Sequence, residues 1–331
     1  MLVLLTLSAC ATRVGARSLP DVRFDYTASI AQSAEQQMLL NIVRLRHRRL
    51  PVFLQVSSVV TQYAVSTNAG INGAYNTVGP GGFVPPASVG AAAGVMVEER
   101  PTITYTPLQG EDFVHRLATP LSSSAIAQLV QAGWPWDAVL ACCVQQINGQ
   151  FAPENPWREE QTDFQRLGRM LSELQRSHAI TTGVKADGSY ELVFAIPGTD
   201  AGRTQVAEVR ALLGLDPDAY RYALSPHSGE STPHQVTLHG RSMMASMYYL
   251  SQGVEGVAGR PAALADALLQ VREAKKAPSD AYASVDYNGR AFYIAADDTD
   301  SQNVFVMLTY LFSLMSTPGG SGPVVTVGAG G

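Results

Sequence analysis

Apolar and polar positions alternate along this chain with two different periods, and the change of period divides it. Val59, Thr61, Tyr63, Val65, Thr67, Ala69, Ile71 and Tyr75 alternate with Val60, Gln62, Ala64, Ser66, Asn68, Gly70, Asn72 and Asn76. A second run sets Val89, Ala91, Ala93, Val95 and Val97 against Ser88, Gly90, Ala92, Gly94 and Met96. Successive side chains of a strand point to opposite faces, so each run predicts a strand with one apolar face and one small or polar face. The Gly/Pro-rich stretch 79–86, which includes Phe83, predicts the turn of a long hairpin whose first strand covers 56–75.

Elsewhere the spacing is helical. Ahead of the hairpin, Ala34, Met38, Ile42 and Leu45 share one helix face, and Ser33 with Gln36 predicts a capping box. Beyond the hairpin, Ser122 to Ser124 predict the cap of a helix through Val130, with Gly133 past its end. Pro135 opens the next helix, where Trp136, Val139, Leu140, Cys143, Val144 and Ile147 share a face and Gly149 is the stop. Asn155-Pro156 opens a third, carrying Phe164, Leu167, Leu171 and Leu174. The C-terminal part mixes periods. Strands are predicted at 190–196, 220–224, 235–239, 281–287, 291–295 and 324–327, with Asn288-Gly289 as a tight turn. Helices are predicted at 204–213, 242–252, 261–273 and 301–315, and two strand-then-helix passages, 234–252 and 281–315, resemble each other weakly. The expected fold class is α+β: a long uncharged β-hairpin, a helical middle layer, and a C-terminal antiparallel sheet with packed helices.

Charge sharpens this picture at one place. Residues 50–97 contain no Asp, Glu, Lys, Arg or His, where the chain-wide 15% of charged residues would put about seven. Just before this span stand Arg44, Arg46, His47, Arg48 and Arg49, cations that suit a helix C-terminus or an anionic surface. The chain as a whole has a net charge of −5, which argues against a nucleic-acid partner, because such partners are held by a basic face. At 46% hydrophobic residues over 331 positions it can build a sizeable core. No run reaches the roughly 20 apolar residues of a transmembrane helix. The longest apolar candidate, 304–315, is interrupted by Thr309 and Ser313.

The first ten residues are Met-Leu-Val-Leu-Leu-Thr-Leu-Ser-Ala-Cys, an apolar run closing on small residues and a cysteine. Such a run reads as a secretion signal rather than as structure. Leu7-Ser8-Ala9-Cys10 resembles the lipobox of bacterial lipoproteins. That resemblance implies cleavage before Cys10, a diacylglyceryl thioether on its sulfur, and acylation (palmitate or a similar chain) of the new amino terminus. Two or more acyl chains give stable anchoring. Ala11 rather than Asp after the cysteine favours the outer membrane, with the folded part in the periplasm. No Lys or Arg precedes the apolar run, which predicts a start codon upstream of Met1. The domain organisation expected is a signal peptide at 1–9, a lipidated tether at 10–25, a helix–hairpin–helical region at 26–180 and an α+β domain at 181–331.

Catalytic chemistry is not legible. There is no GxSxG, HExxH, P-loop or GxGxxG pattern. His227, His234 and His239 fall near one another, but no Cys or carboxylate pair completes a tetrahedral metal site. Asp297, Asp298 and Asp300 lack the glycine and terminal glutamate of a calcium loop, and Asp300 or Ser301 reads as a helix cap. Glu98 and Glu99 are adjacent on a strand and face opposite ways, which suits them poorly to paired-carboxylate hydrolysis. Cys142 and Cys143 form no CxxC, and Cys143 is expected in the core with Cys142 flanking it. No cofactor and no metal is implied.

Residues 99–113, Glu-Arg-Pro-Thr-Ile-Thr-Tyr-Thr-Pro-Leu-Gln-Gly-Glu-Asp-Phe, together with 41–63 upstream, resemble uncharacterised lipoproteins of Gram-negative bacteria. The resemblance extends through the Asn288-Gly289 turn and the last helix, and implies the lipid anchor alone. The function expected is that of a non-enzymatic envelope protein acting by protein–protein contact in the periplasm, with a membrane attachment and an envelope protein as partners. Its contact surfaces are Arg44, Arg46, Arg48, Arg49, Tyr63, Val65, Ile71, Tyr75, Phe83 and Val95. One alternative is a homo-oligomeric outer-membrane pore to which each subunit lends one hairpin. Another is a hydrolase of envelope polymers.

Overall fold

A 28-residue helix, α1 (Leu19–Arg46), opens the computed structural model, which describes residues 19–74, 88–153, 162–195, 198–226, 232–256, 267–315 and 325–328. Cys10 and its signal lie outside the described residues. Pro20 is tolerated in the first turn, and no Gly or Pro follows before Arg46 to break the helix. Ser33 and Gln36 therefore sit mid-helix, not at a cap, and Ala34 faces solvent. Met38, Leu39, Ile42, Val43 and Leu45 are buried. The helix ends where Arg48 takes a left-handed conformation, φ 59°. Buried Asn41 then grips the returning chain. Its Nδ2 donates to the Val52 carbonyl at 2.8 Å, and its Oδ1 accepts from Val52 N–H at 2.8 Å.

The chain divides into two compact units. One takes residues 1–53 and 109–319, the other 54–108 and 320–331. The second contains β1 (Phe53–Ala74), β2 (Ser88–Leu108) and the late strand β12 (Val325–Gly328), in the order β1-β2-β12. The hairpin expected from the alternation is present, and β2 runs past Pro101.

The larger unit is built on a six-stranded sheet of order β4-β3-β8-β7-β6-β5. Its strands are β3 (Val144–Ile147), β4 (Gln150–Phe151), β5 (Ile180–Val184), β6 (Tyr190–Phe194), β7 (Arg221–Pro226) and β8 (Gln235–Gly240). The strands come from both sides of the boundary expected at 180/181, and β5 spans it. Neighbours are antiparallel except β7 and β8, which run parallel with Leu224 opposite Val236. The sheet is thus mixed, whereas alternation alone suggested an antiparallel one. A hydrophobic pattern identifies faces and carries no strand direction.

Helices α3 (Ser123–Gln131), α4 (Trp136–Cys143) and α5 (Asp163–Arg176) pack on this sheet. The Ser122 hydroxyl caps α3 by accepting from Ala125 N–H, as expected. Helix α4 stops at Cys143, so residues 144–147, expected as further helix, form β3, in which Val144 and Ile147 remain buried. Thr162 and Gln165 make the capping box that starts α5, while Asn155-Pro156 lies outside the described residues. Phe164, Leu167, Leu171 and Leu174 are buried along one face. Further on, α6 (Asp200–Leu213) and α7 (Met243–Ser251) follow the predicted spans closely. A predicted helix at 261–273 is corrected at its end. Residues 257–266 lie outside the description, and Arg272–Ala274 is a strand, β9. It pairs with β11 (Arg290–Ile294), which pairs with β10 (Ala283–Tyr287) through the Asn288-Gly289 turn. Both turn residues have positive φ, 51° and 75°, as the tight hairpin requires. Helices α2 (Glu111–Ala118) and α8 (Thr299–Met315) complete the fold, which is α+β.

Candidate functional site

The hairpin unit carries the least ordinary geometry in the molecule. Its strands are 22 and 21 residues long, where strands usually run about 3–10. At about 3.3 Å per residue each approaches roughly 70 Å. The Ser57 hydroxyl donates to the Thr104 carbonyl at 3.1 Å, which places the strands abreast near their base. Beyond β2, β12 pairs at four positions, from Val325 opposite Tyr105 to Gly328 opposite Thr102. Among the described residues, the outer edge of β1 and the β2 edge over 88–101 have no strand neighbour. Folded proteins usually guard such edges with charge, proline or a bulge. Residues 54–74 contain no charged residue and no proline. Tyr63, Val65 and Ile71 lie on β1, and Val95 lies on β2. Tyr75 and Phe83 lie outside the described residues.

The basic run at the end of α1 does not act as one surface. Arg46 is 6% exposed and its Nη1 donates to Gln252 Oε1 at 2.9 Å, so it is an interior residue rather than a contact residue. Its position was legible, for Leu39, Ile42 and Arg46 are spaced as one helix face. Arg44 is half-buried and its Nε donates to the Leu50 carbonyl. Arg48 and Arg49 are exposed. His47 packs its ring against Tyr287 at 5.0 Å and Phe292 at 5.9 Å. Burial holds its imidazole below the ordinary pKa, against the opposing pull of Glu273. Arg44, His47, Arg49, Tyr287 and Asn288 line a shallow hollow of about 440 Å³.

A larger cleft of about 460 Å³ in the same unit includes Asp137, Arg169, Tyr249 and Asp298 in its lining. Two of its carboxylates, Asp137 and Asp298, are committed to structure. Asp137 Oδ1 accepts from the Ser172 hydroxyl at 2.9 Å and from Ala138 N–H at 2.8 Å. Asp298 caps α8, accepting from Ser301 N–H and from the Ser301 hydroxyl, so the cap is Asp298 and not Asp300 or Ser301. The lining also includes Pro153 and Ala267, which adjoin residues outside the description.

Among the described residues, no three His, Cys, Asp or Glu side chains gather where a metal ion would sit. His234 stands 3.7 Å from Asp216, His239 lies on β8, and His227 is outside the description. Cys142 and Cys143 are both free and fully buried, so Cys142 belongs to the core as much as its neighbour. Burial first, then the contact with Cys142, raises the Cys143 thiol pKa well above the ordinary value. No described helix is long and apolar enough to cross a membrane. No family model, no curated protein and no solved structure matches the chain.

Proposed function

We propose that the chain is a lipid-anchored protein of the bacterial outer membrane that faces the periplasm and works by protein–protein contact, without catalysis, through its β-hairpin. The observation that carries this reading is the hairpin unit: two strands of more than 20 residues, uncharged through residue 97, with the β1 edge and the β2 edge over 88–101 open among the described residues. A two-stranded hairpin is marginally stable in water without a third strand or a covering layer. Only four β2 positions receive a third strand. The remaining length gains its stability when something else pairs with it. Exposed Arg48 and Arg49 offer a secondary polar contact, and Arg46 supports the interior.

Photo-crosslinking in cells tests the reading. A crosslinking amino acid at Val65 or Val95 is expected to capture a protein in the outer-membrane fraction, and Cys10→Ser is expected to abolish acyl labelling and outer-membrane fractionation. A Cys10→Ser protein still cut before residue 10 and still found with outer-membrane markers would sink the anchor. Val65 and Val95 probes that capture nothing would sink the contact.

A further inference from the structure

We infer that the hairpin's partner is the same hairpin on further copies of this chain, joined edge to edge into a closed antiparallel barrel that crosses a lipid bilayer. The inference rests on the reading of the hairpin as the contact element.

The two edges that are open among the described residues belong to opposite sides of one hairpin: β1 on one side, β2 over 88–101 on the other. Copies related by rotation about a common axis set β2 of one subunit beside β1 of the next. Because β1 and β2 run in opposite directions within a hairpin, every such junction is antiparallel without any change of backbone. This is a head-to-tail contact, which generates a ring when the rotation closes. Closure removes every edge, and a closed barrel is the one β-structure that can cross hydrocarbon, because all its backbone groups are paired.

The distribution of charge identifies the surroundings. The uncharged part of β2 is Ser88 to Val97, ten residues, bounded by Glu98, Glu99 and Arg100. A tilted strand crosses a bilayer in about 9–11 residues. A soluble partner would leave no reason to withhold charge from both faces of the sheet at once. The sequence supplies the alternation a barrel wall requires: Val89, Ala91, Ala93, Val95 and Val97 alternate with Ser88, Gly90, Ala92, Gly94 and Met96, and Val65, Thr67 and Ile71 alternate with Ser66, Asn68 and Asn72. The apolar series is assigned to lipid and the polar series to the lumen. Independently, β12 covers the β2 edge at Thr102 to Tyr105, immediately beyond the charges. The level at which water returns and the level at which the open edge closes therefore coincide.

The lipidated full-length chain, purified in mild detergent, is expected to have a mass several times that of one chain and to give stepwise conductance in planar bilayers. Val95→Arg, on the lipid-assigned face, is expected to abolish both while leaving the thermal unfolding of the larger unit unchanged. Asn68→Arg, on the lumen-assigned face, is expected to retain the oligomer and shift ion selectivity severalfold toward anions. Equal effects of the two substitutions on assembly would overturn the face assignment and with it the barrel. A monomer without conductance overturns the ring. If that monomer still crosslinks a different protein through Val95, the contact reading survives; if it captures nothing, both fall.

Discussion

Asn148 offers the sharpest test of how the six-stranded sheet is held. It sits with Gly149 in the turn between β3 and β4, and both have positive φ, 40° and 81°. Its Nδ2 donates to the Leu213 carbonyl at 2.7 Å and to the Gln235 carbonyl at 3.1 Å. Its Oδ1 accepts from Thr237 N–H at 2.6 Å and from the Thr237 hydroxyl at 3.1 Å. One side chain thus ties the end of α6 and the middle of β8 to the tip of β3. In Asn148→Ala the hydrogen bonds go, each worth about 1 kcal/mol net, and the amide of Thr237, a residue 2% exposed, is left buried at about 1–3 kcal/mol. The left-handed backbone adds about 1 kcal/mol for a residue with a Cβ. Since the desolvation and bond terms overlap, the expected loss is about 3–5 kcal/mol, a large part of a domain's usual 5–15 kcal/mol. Asn148→Gly relieves the backbone cost alone and should recover about 1 kcal/mol of that loss. Urea unfolding of the unlipidated Cys10→Ser form, followed by circular dichroism, measures both. Two variants within about 0.5 kcal/mol of their parent would refute the assignment of Asn148 as a fastening residue.

Three further outcomes concern the core thiols and the half-buried His47. Thiol labelling of Cys142 and Cys143 should be more than about a hundredfold slower in the native protein than in denaturant, since these core positions open only with unfolding; equal rates would contradict their burial. Because the Cys143 thiol is raised in the fold, the unfolded chain loses that proton first, so stability should fall as pH climbs above about 8.5. For His47 the sign is opposite. Its lowered pKa means the unfolded chain takes up the proton first, so stability is full above about pH 6.5 and declines as pH falls through the depressed value. His47→Phe should flatten the drop in melting temperature between pH 7.5 and 5.5, and an unchanged slope would remove His47 as its source.

Why some elements were legible and others were not comes down to competing local signals. The hairpin stood out because period-two alternation persisted for some 20 residues with no charge to interrupt it. Its second strand was cut short at Val97, since Glu98 to Pro101 imitates a strand end, yet β2 continues to Leu108. The dipeptide Asn-Gly occurs at two hairpins with the same left-handed backbone. At 288–289 flanking alternation revealed it. At 148–149 the preceding apolar residues 136–147 also fit a helix face, so Gly149 read as a helix stop and β3 was missed. Strand β5, Ile180–Val184, was overlooked because its Thr-Thr-Gly centre has little hydrophobic contrast. In the basic run, four arginines and a histidine in six residues suggest a surface, a signal that competes with the helix phase that buries Arg46. The lipobox at Cys10 is a covalent-chemistry signal, legible in sequence and independent of the fold.

The strand that covers the base of β2 comes from the far end of the chain. More than 200 residues separate Leu108 from Val325. At about 5–20 residues per second, both hairpin strands have been synthesised roughly 10–40 s before their third strand has been made. During that time Thr102 to Tyr105 lack the strand that, among the described residues, covers their outer edge. Chain completion is therefore a timing element: the base of the hairpin is sealed last, after the larger unit has had its whole sequence, and a polypeptide stopped short of residue 325 would carry an edge open along its entire length.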